Sequence, residues 1–248
     1  MKLYSKLAAL GAALVVASAY ASAGTIPITT NSGGFFYEGY SATFAGTPAF
    51  QPTGVNNSGQ LAFPNSVATI SPGTIWAPAL SVTDMFGTTT NSAWISYDPN
   101  SGPTGGENGT TSPYDENGFY TYVTSFTTTG GALPYSGSLT VLADDTAAVY
   151  LNNTLILPEG TIGSDVQCAD GPPNCRVGGE ESVFLPPSLI NQDGFNLLTF
   201  VVDQSGSITQ GLDVAGLVQT TPEPNTLLLL GTGLIGSAGA LFRRKRAA

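Results

Sequence analysis

Histidine is absent from the 248-residue sequence, and its absence excludes several kinds of chemistry. Ser–His–Asp and Cys–His catalytic machinery cannot form without an imidazole to act as the general base. A zinc site would need more ligands than the two cysteines supply. Among common mechanisms, paired carboxylates as in glycoside hydrolysis remain compatible with this composition.

Basic residues are few and sit almost entirely at the two ends of the chain. Residues 24–222 contain sixteen acidic residues and one basic residue, Arg176, so their formal charge is −15. No lysine remains there for Schiff-base chemistry. This charge repels nucleic acid and anionic lipid surfaces, so we expect no nucleic-acid partner. The acids are spread along the chain, which favours solubility outside the cell over a dedicated cation site.

The first 23 residues have the pattern of a secretory signal peptide. Lys2 and Lys6 form a positive region, residues 7–16 are apolar except for Gly11, and the small residues 21–23 follow. Signal peptidase recognises this order, and we expect cleavage before Gly24. The alternative is an ordinary N-terminal helix.

A second apolar segment lies near the C-terminus. Residues 226–242 carry no charge and include four glycines, which membrane helices tolerate better than soluble helices do. As a helix the segment spans about 26 Å, slightly less than a hydrocarbon core. The basic cluster behind it should stay in the cytoplasm by the positive-inside rule, which predicts a transmembrane helix with the preceding chain outside the inner membrane. The cluster consists of Arg243, Arg244, Lys245 and Arg246.

The order of features at the C-terminus resembles the PEP-CTERM sorting signal of Gram-negative bacteria. Pro222, Glu223 and Pro224 precede the apolar segment and the basic tail. The two prolines prevent a continuous helix and keep the motif extended beside the bilayer. The resemblance implies recognition by an exosortase, cleavage near the motif, and transfer to the cell surface or an extracellular matrix, often together with exopolysaccharide and biofilm production.

The segment between the two signals predicts one all-β domain over residues 24–219, followed by the sorting signal 220–248. It is rich in Gly, Thr, Ser, Asn and aromatic residues, which favours strands and turns. Strands separated by turn residues predict an antiparallel β-sandwich, with the clearest strand starting at Phe119. "TIWAPAL" (residues 74–80) and "SAWISY" (residues 92–97) are apolar enough for strands. Asn152 and Asn153 lie between two alternating runs and predict a two-residue hairpin.

Cys168 and Cys175 enclose "CADGPPNC", and we predict a disulfide between them because exported proteins meet an oxidising environment. The loop is short and rich in turn residues. The bridge should therefore stabilise a local excursion, by about 2 kcal/mol, and not the whole fold.

The segments "LTVLADDTAAVYLNNTLI" and "NLLTFVVDQSGSITQGLDVAGLV" resemble the later strands of galactose-binding-like jelly rolls. Asn153 stands where that family more often has Gly, and Asp203 where it more often has Asn. The resemblance implies a jelly-roll sandwich, carbohydrate binding through loops at one end, and in some members a structural Ca²⁺. Asp144 and Asp145 are the candidate Ca²⁺ ligands, but Asp side chains also shape turns, and we favour that interpretation.

Aromatic residues suggest a sugar-stacking platform, although aromatics more often pack in a core. The candidates are Tyr114, Tyr120, Tyr122 and Trp94, with Trp76 and Tyr150 as further members.

Together these patterns predict a non-enzymatic, exosortase-sorted surface or matrix protein that binds polysaccharide through its β-sandwich. Its expected partners are signal peptidase, an exosortase and, transiently, the inner membrane; Ca²⁺ is the one candidate cofactor. The rival hypotheses are a carboxylate-dependent glycoside hydrolase and a structural coat protein without a ligand.

Overall fold

Two antiparallel sheets packed face to face form the structure, as predicted from the alternating strands. The computed structural model describes residues 24–31, 34–43, 65–103, 115–130, 134–163, 168–206, 209–220 and 233, and the structural statements below concern these residues. The strands are β1 (Thr25–Thr29), β2 (Phe35–Ser41), β3 (Asn65–Ser66), β4 (Ala68–Thr69), β5 (Ser81–Thr83), β6 (Thr89–Asn91), β7 (Ile95–Ser96), β8 (Gly118–Thr128), β9 (Tyr135–Asp144), β10 (Thr146–Leu151), β11 (Thr154–Leu157), β12 (Glu181–Leu185), β13 (Gly194–Gln204) and β14 (Gly211–Thr220).

The later strands form the centre of both sheets. Sheet A has the order β12-β9-β14-β7-β4, and β1 pairs with β14 on the same side as β7. Sheet B has the order β11-β10-β13-β8-β2-β3. A separate two-stranded ribbon is formed by β5 and β6. β9 passes into β10, and β13 into β14, so both of these connections cross between the sheets at one end of the sandwich.

Alternate residues of both sheets fill the core between them. In β8, Tyr120, Tyr122 and Phe126 point inward while Val123 points outward, which confirms the predicted alternation. Burying such side chains removes apolar surface from water, worth about 25 cal/mol per Å². Further core residues are Leu139, Val141, Ala143, Val149, Leu151, Leu198, Phe200, Val202, Leu212 and Val214.

A second apolar cluster covers the outer face of sheet A. Leu142 points away from the main core and packs with Trp76, Trp94 and the disulfide between Cys168 and Cys175. The disulfide confirms the prediction, and its Cα atoms are 5.4 Å apart. Ala77 donates a backbone hydrogen bond to the carbonyl of Cys175 at 2.6 Å, and this bond connects the loop that the disulfide closes to the loop that contains Ala77.

The predicted hairpin is present, but one predicted strand is wrong. Asn152 and Asn153 have φ of 48° and 65° and connect β10 to β11. Residues 74–80 form no strand, because a turn closes there with Trp76 N donating to Pro72 O at 3.1 Å, and Pro78 has no donor for a ladder. Within 92–97 only Ile95–Ser96 is a strand.

Four predicted features lie outside the described residues. They are the signal helix (1–23), the sorting motif (222–224), the membrane segment (226–242, apart from residue 233) and the basic tail (243–246). In the part of the chain that the structure describes, no helix has the length and hydropathy needed to cross a bilayer.

Candidate binding site at the acidic end

The sandwich has two ends that differ in chemistry. At the end that we call the acidic end, β9 and β13 stop at Asp144 and Gln204, and β8 and β14 start at Gly118 and Gly211. The opposite end, the terminal end, is where β8 stops and where β9 and β13 start, and it includes Gly24 and Thr220.

Acidic residues gather at the acidic end. The described connections of the terminal end (129–130, 152–153 and 186–193) contain one acidic residue, Asp193. The described strand ends and connections of the acidic end contain ten: Asp98, Asp115, Glu116, Asp144, Asp145, Glu159, Asp170, Glu180, Glu181 and Asp203. The fold therefore concentrates negative charge that is dispersed in the sequence.

A cluster of tyrosine rings lies at the acidic end, and we call it the tyrosine cluster. Tyr97 stacks on Tyr120 with ring centroids 5.2 Å apart, and Tyr40 packs on the same ring at 5.2 Å. Tyr37 contacts Tyr97 at 5.3 Å and Tyr122 at 5.8 Å. β2, β8 and the segment after β7 thus each supply rings to one cluster.

Three of the tyrosine hydroxyls hold the segment just before β8. Tyr97 donates to Asp115 Oδ1 at 2.6 Å, Tyr120 to the carbonyl of Glu116 at 2.9 Å, and Tyr40 to the carbonyl of Asn117 at 2.8 Å. Because these bonds reach three consecutive residues, the position of Asp115 is fixed from several directions.

Asp115 is a buried carboxyl group in aromatic surroundings. Only 1% of the residue is exposed, and its Oδ1 also accepts a hydrogen bond from Ser101 Oγ at 3.1 Å. Within the described part of the chain, Oδ2 is buried and accepts no hydrogen bond. Burial raises the pKa of Asp115 to about 6, against the lowering effect of the bonds from Tyr97 and Ser101. Burial also raises the pKa of Tyr37 to about 12, so this ring keeps its hydroxyl proton at neutral pH.

A buried polar network supports the cluster from below. Gln210 Nε2 donates to the hydroxyl of Tyr122 at 2.6 Å, and that hydroxyl in turn bonds Gln210 Oε1 at 2.8 Å. Ser96 Oγ donates to the same Oε1 at 2.6 Å. Buried polar groups need such partners, because an unmade bond costs about 1–3 kcal/mol. The network therefore fixes the innermost ring of the tyrosine cluster.

Gly118 allows the backbone and the cluster to approach each other closely. Its φ is +147°, and a Cβ added there would lie 2.7 Å from the carbonyl oxygen of Ser41 and 2.7 Å from the ring of Tyr40. A larger residue would therefore displace Tyr40, the most exposed ring of the cluster.

Asp144 and Asp145 make the contacts expected from turn-shaping residues. Asp144 Oδ2 accepts a bond from Thr209 Oγ1 at 2.6 Å, and Asp145 Oδ2 accepts bonds from Ser205 N at 2.6 Å and Ser205 Oγ at 3.0 Å. Both carboxylates thus organise the connection between β13 and β14. A carboxylate oxygen of Asp144 also lies within 4.8 Å of the sulfurs of Cys168 and Cys175, but a disulfide supplies no thiolate ligand.

More acidic groups lie beside this turn. Burial, together with the negative charges of Glu159 and Asp170, raises the pKa of Asp203 to about 6. Asp170 accepts a bond from the backbone N–H of Gly163, while its Oδ2, buried, has no hydrogen-bond partner among the described residues. Carboxylate oxygens are ligands that suit Ca²⁺, but among the described residues the group close enough to hold an ion is Asp144 with the two disulfide sulfurs, and the other carboxylates do not join it.

The predicted aromatic platform needs a correction. Tyr120 and Tyr122 do come together, but both are buried, and Trp94 lies elsewhere, 1% exposed and packed against Trp76 with ring centroids 4.4 Å apart. Trp94 Nε1 donates to the carbonyl of Ala77 at 2.9 Å, so this ring fastens a loop to sheet A. Tyr114 lies outside the described residues.

Sequence reasoning missed the residues that define the cluster: Tyr37, Tyr40, Tyr97 and Asp115. Tyr37 and Tyr40 reach Tyr120 because β2 pairs with β8, and Tyr97 reaches the same ring from the segment after β7, so no local sequence pattern marks the cluster. One signal in the sequence could have pointed to Asp115. It lies just before the clearest strand, and a residue in that position is placed at the end of the sheet.

These observations define a class: an all-β domain, a disulfide-containing antiparallel sandwich with an aromatic and acidic end. Residues 220–246 of the chain match the PEP-CTERM protein-sorting motif. The chain thus carries the sorting motif of exported proteins that an exosortase processes, as the sequence predicted. The search of curated proteins finds no match to the chain.

Two solved structures are similar to the chain at low scores. A family 35 carbohydrate-binding module from Clostridium thermocellum has 11% identity and a TM-score of 0.26, over 61% of this chain and 97% of the module. A cycloisomaltooligosaccharide glucanotransferase from Paenibacillus sp., complexed with cycloisomaltoheptaose, has 11% identity and a TM-score of 0.23, over 61% of this chain and 17% of the enzyme. Likenesses of this degree carry no argument about function.

Proposed function

We propose that the chain is a non-enzymatic surface or extracellular-matrix protein that binds exopolysaccharide at its acidic end. The observation that supports this proposal most directly is the tyrosine cluster around Asp115. Sugar rings stack on aromatic faces, and their hydroxyls donate hydrogen bonds to fixed acceptors. Tyr40 is 38% exposed and Tyr37 and Tyr97 are partly exposed, so these rings are open to a ligand, and the buried Asp115 accepts a hydrogen bond from Tyr97 that holds one of them in place.

The charge of this end narrows the ligand. An end of the sandwich with ten acidic residues in its connections and strand ends disfavours a polyanion. We therefore propose a neutral or amino-containing polysaccharide as the ligand, produced by the cell that exports the protein.

The test is binding of the full-length protein to the producing cell's own exopolysaccharide, in a pull-down with the insoluble polymer. Tyr40→Ala removes the exposed ring and should weaken binding about tenfold, since one stacking contact is worth about 1 kcal/mol or more. Asp115→Asn keeps the shape of the side chain but removes its negative charge, and should weaken binding less than Tyr40→Ala does.

The matched control is Phe184→Ala, which removes an aromatic ring that is 61% exposed on the edge strand β12. It should leave binding unchanged. Equal binding of the wild type, the Tyr40→Ala variant and the heat-denatured protein would remove the polysaccharide proposal and leave the structural coat protein.

A glycoside hydrolase is the second candidate, and the pKa of Asp115 favours it. A general acid in such enzymes needs a raised pKa, and burial raises that of Asp115 to about 6. The decisive measurement is the release of reducing ends from the same polysaccharide. Release that Asp115→Asn abolishes would establish the enzyme; no release would support the binding function.

We propose Ca²⁺ as a ligand of the acidic turn, with Asp144 and Asp145 as the predicted residues and Asp170 and Asp203 beside them. When bound, the ion would neutralise the mutual repulsion of these carboxylates. Thermal unfolding with and without Ca²⁺ tests the proposal. A higher Tm in Ca²⁺ that is lost in Asp170→Asn would support it, and an unchanged Tm would contradict it.

The location follows the sorting motif. We propose cleavage before Gly24 by signal peptidase, cleavage near Pro222 by an exosortase, and release of the sandwich to the cell surface or matrix. Mass spectrometry of the protein from envelope and medium tests both steps. A product that keeps the C-terminus would contradict the second cleavage.

A further inference from the structure

The chain enters and leaves the folded domain at the same place, the terminal end. Gly24 N donates to Thr220 Oγ1 at 3.0 Å, and Thr220 N donates to the carbonyl of Gly24 at 3.1 Å. β1 and β14 run antiparallel from Thr25 opposite Gln219 to Thr29 opposite Ala215. Both chain segments that lead to the predicted membrane-interacting signals therefore start from the terminal end.

Little chain separates the last strand from the sorting signal. β14 stops at Thr220, and the predicted membrane segment begins at residue 226. Six extended residues span at most about 20 Å. A bilayer that holds the C-terminal segment must therefore lie within about 20 Å of the terminal end. The ten residues of β14 place the acidic end about 30 Å farther along the strand direction.

The charge distribution favours the same orientation. Asp193 is the one acidic residue in the described connections of the terminal end, and its Oδ1 accepts a hydrogen bond from Gly130 N at 2.8 Å. Uncharged polar side chains such as Asn191, Ser188 and Gln192 make up much of the rest. An anionic leaflet repels the ten acidic residues of the acidic end but has little effect on the terminal end.

We propose that the terminal end is a membrane-facing surface. While the C-terminal segment is uncleaved, residues 186–193 and the paired ends of β1 and β14 lie against phospholipid headgroups, and the acidic end points away from the bilayer. This orientation depends on chain geometry and charge, and it holds whether or not the acidic end binds a polysaccharide.

Fluorescence quenching in reconstituted vesicles tests the orientation. The full-length protein is labelled at one introduced cysteine, either Ser188→Cys at the terminal end or Ala42→Cys directly after β2 at the acidic end. Both positions are exposed, and the native cysteines are bonded to each other and do not react. The vesicles contain phosphatidylcholine and a lipid with a headgroup spin label, with or without phosphatidylglycerol.

The expected result is strong quenching of the label at position 188 and little or no quenching of the label at position 42. Phosphatidylglycerol should increase the difference at low salt, and high salt should reverse that increase. Equal quenching at both positions, stronger quenching at position 42, or no quenching at either would each overturn the proposal. Both variants must unfold at the wild-type temperature, which shows that the labels report on the native sandwich.

Discussion

The acidic end and the terminal end belong to the same strands but are stabilised in different ways. At the acidic end, five tyrosine rings, the Ser96–Gln210–Tyr122 network and a disulfide-linked loop surround buried carboxyl groups. At the terminal end, backbone pairing and amide side chains predominate, as where Asn152 Nδ2 donates to Asn196 Oδ1 at 2.9 Å. Burying a carboxyl group costs free energy because its charged form loses contact with water. Sites that bind ligands commonly contain such buried carboxyl groups. The comparison therefore supports the two proposals, ligand binding at the acidic end and a membrane-facing terminal end.

Substituting one tyrosine at each end gives the largest expected contrast. Tyr122→Ala should lower the free energy of unfolding by about 3–5 kcal/mol, because the ring is fully buried and its loss removes the acceptor of the Gln210 Nε2 hydrogen bond. Tyr122→Phe should cost about 1–2 kcal/mol. At the terminal end, Tyr135→Phe should cost less than about 1 kcal/mol, since its hydroxyl contacts to Thr129 are 3.4–3.5 Å long. Urea unfolding measures all three, and equal costs for the two Phe variants would contradict the comparison.

Breaking the disulfide should affect the acidic end alone. The Cys168→Ser, Cys175→Ser double variant should lose about 2 kcal/mol, because the closed loop is short. Hydrogen exchange should rise for the Ala77 amide, which bonds to Cys175. Faster exchange at Thr220, at the other end, would show instead that the disulfide stabilises the whole sandwich.

The pH dependence of stability should come from the acidic end. The pKa values of Asp115 and Asp203 are raised to about 6, above the ordinary Asp value of about 3.9, so the folded state holds these protons more tightly than the unfolded chain does. Their stabilising contribution is complete below about pH 4 and is lost as the pH rises to about 6. Asp115→Asn should flatten this decline by on the order of 1–2 kcal/mol, after allowance for solvent screening.

Urea midpoints at several pH values between about 4 and 7 measure this effect. Asp203→Asn should flatten the decline less, because this residue is more accessible to water. An Asp115→Asn variant with the same pH dependence as the wild type would show that the carboxyl group is not shielded as the structure describes.

The smallest effect is expected in the hairpin near the terminal end. Asn153 has φ of 65°, a conformation that Gly adopts freely and Ala does not. Asn153→Gly should leave the free energy of unfolding within about 0.5 kcal/mol of wild type, and Asn153→Ala should lower it by about 1 kcal/mol. Thermal unfolding distinguishes them. The same destabilisation in both variants would mean that the side chain, and not the backbone conformation, matters there.

The sequence predicted the parts of the fold that depend on local pattern. Alternation from Phe119 identified β8, and paired asparagines identified the hairpin, because side-chain period and positive φ are properties of short segments. It failed at residues 74–80, where apolar content suggested a strand. There Trp76 packs against Trp94 in a loop. A buried loop needs apolar side chains as a buried strand does, so the apolar content of this segment did not distinguish the two.

By itself the sequence determined that this protein is exported, all-β, acidic, disulfide-bonded and marked at residues 220–246 for sorting, because these properties follow from composition and from contiguous motifs. The tertiary structure alone decided which residues meet. Tyr37, Tyr97 and Tyr120 lie far apart in the chain and become neighbours through sheet pairing, and Gly24 reaches Thr220 in the same way. Long-range pairing leaves no local pattern, so the candidate site and the orientation of its two ends had to come from the folded sandwich.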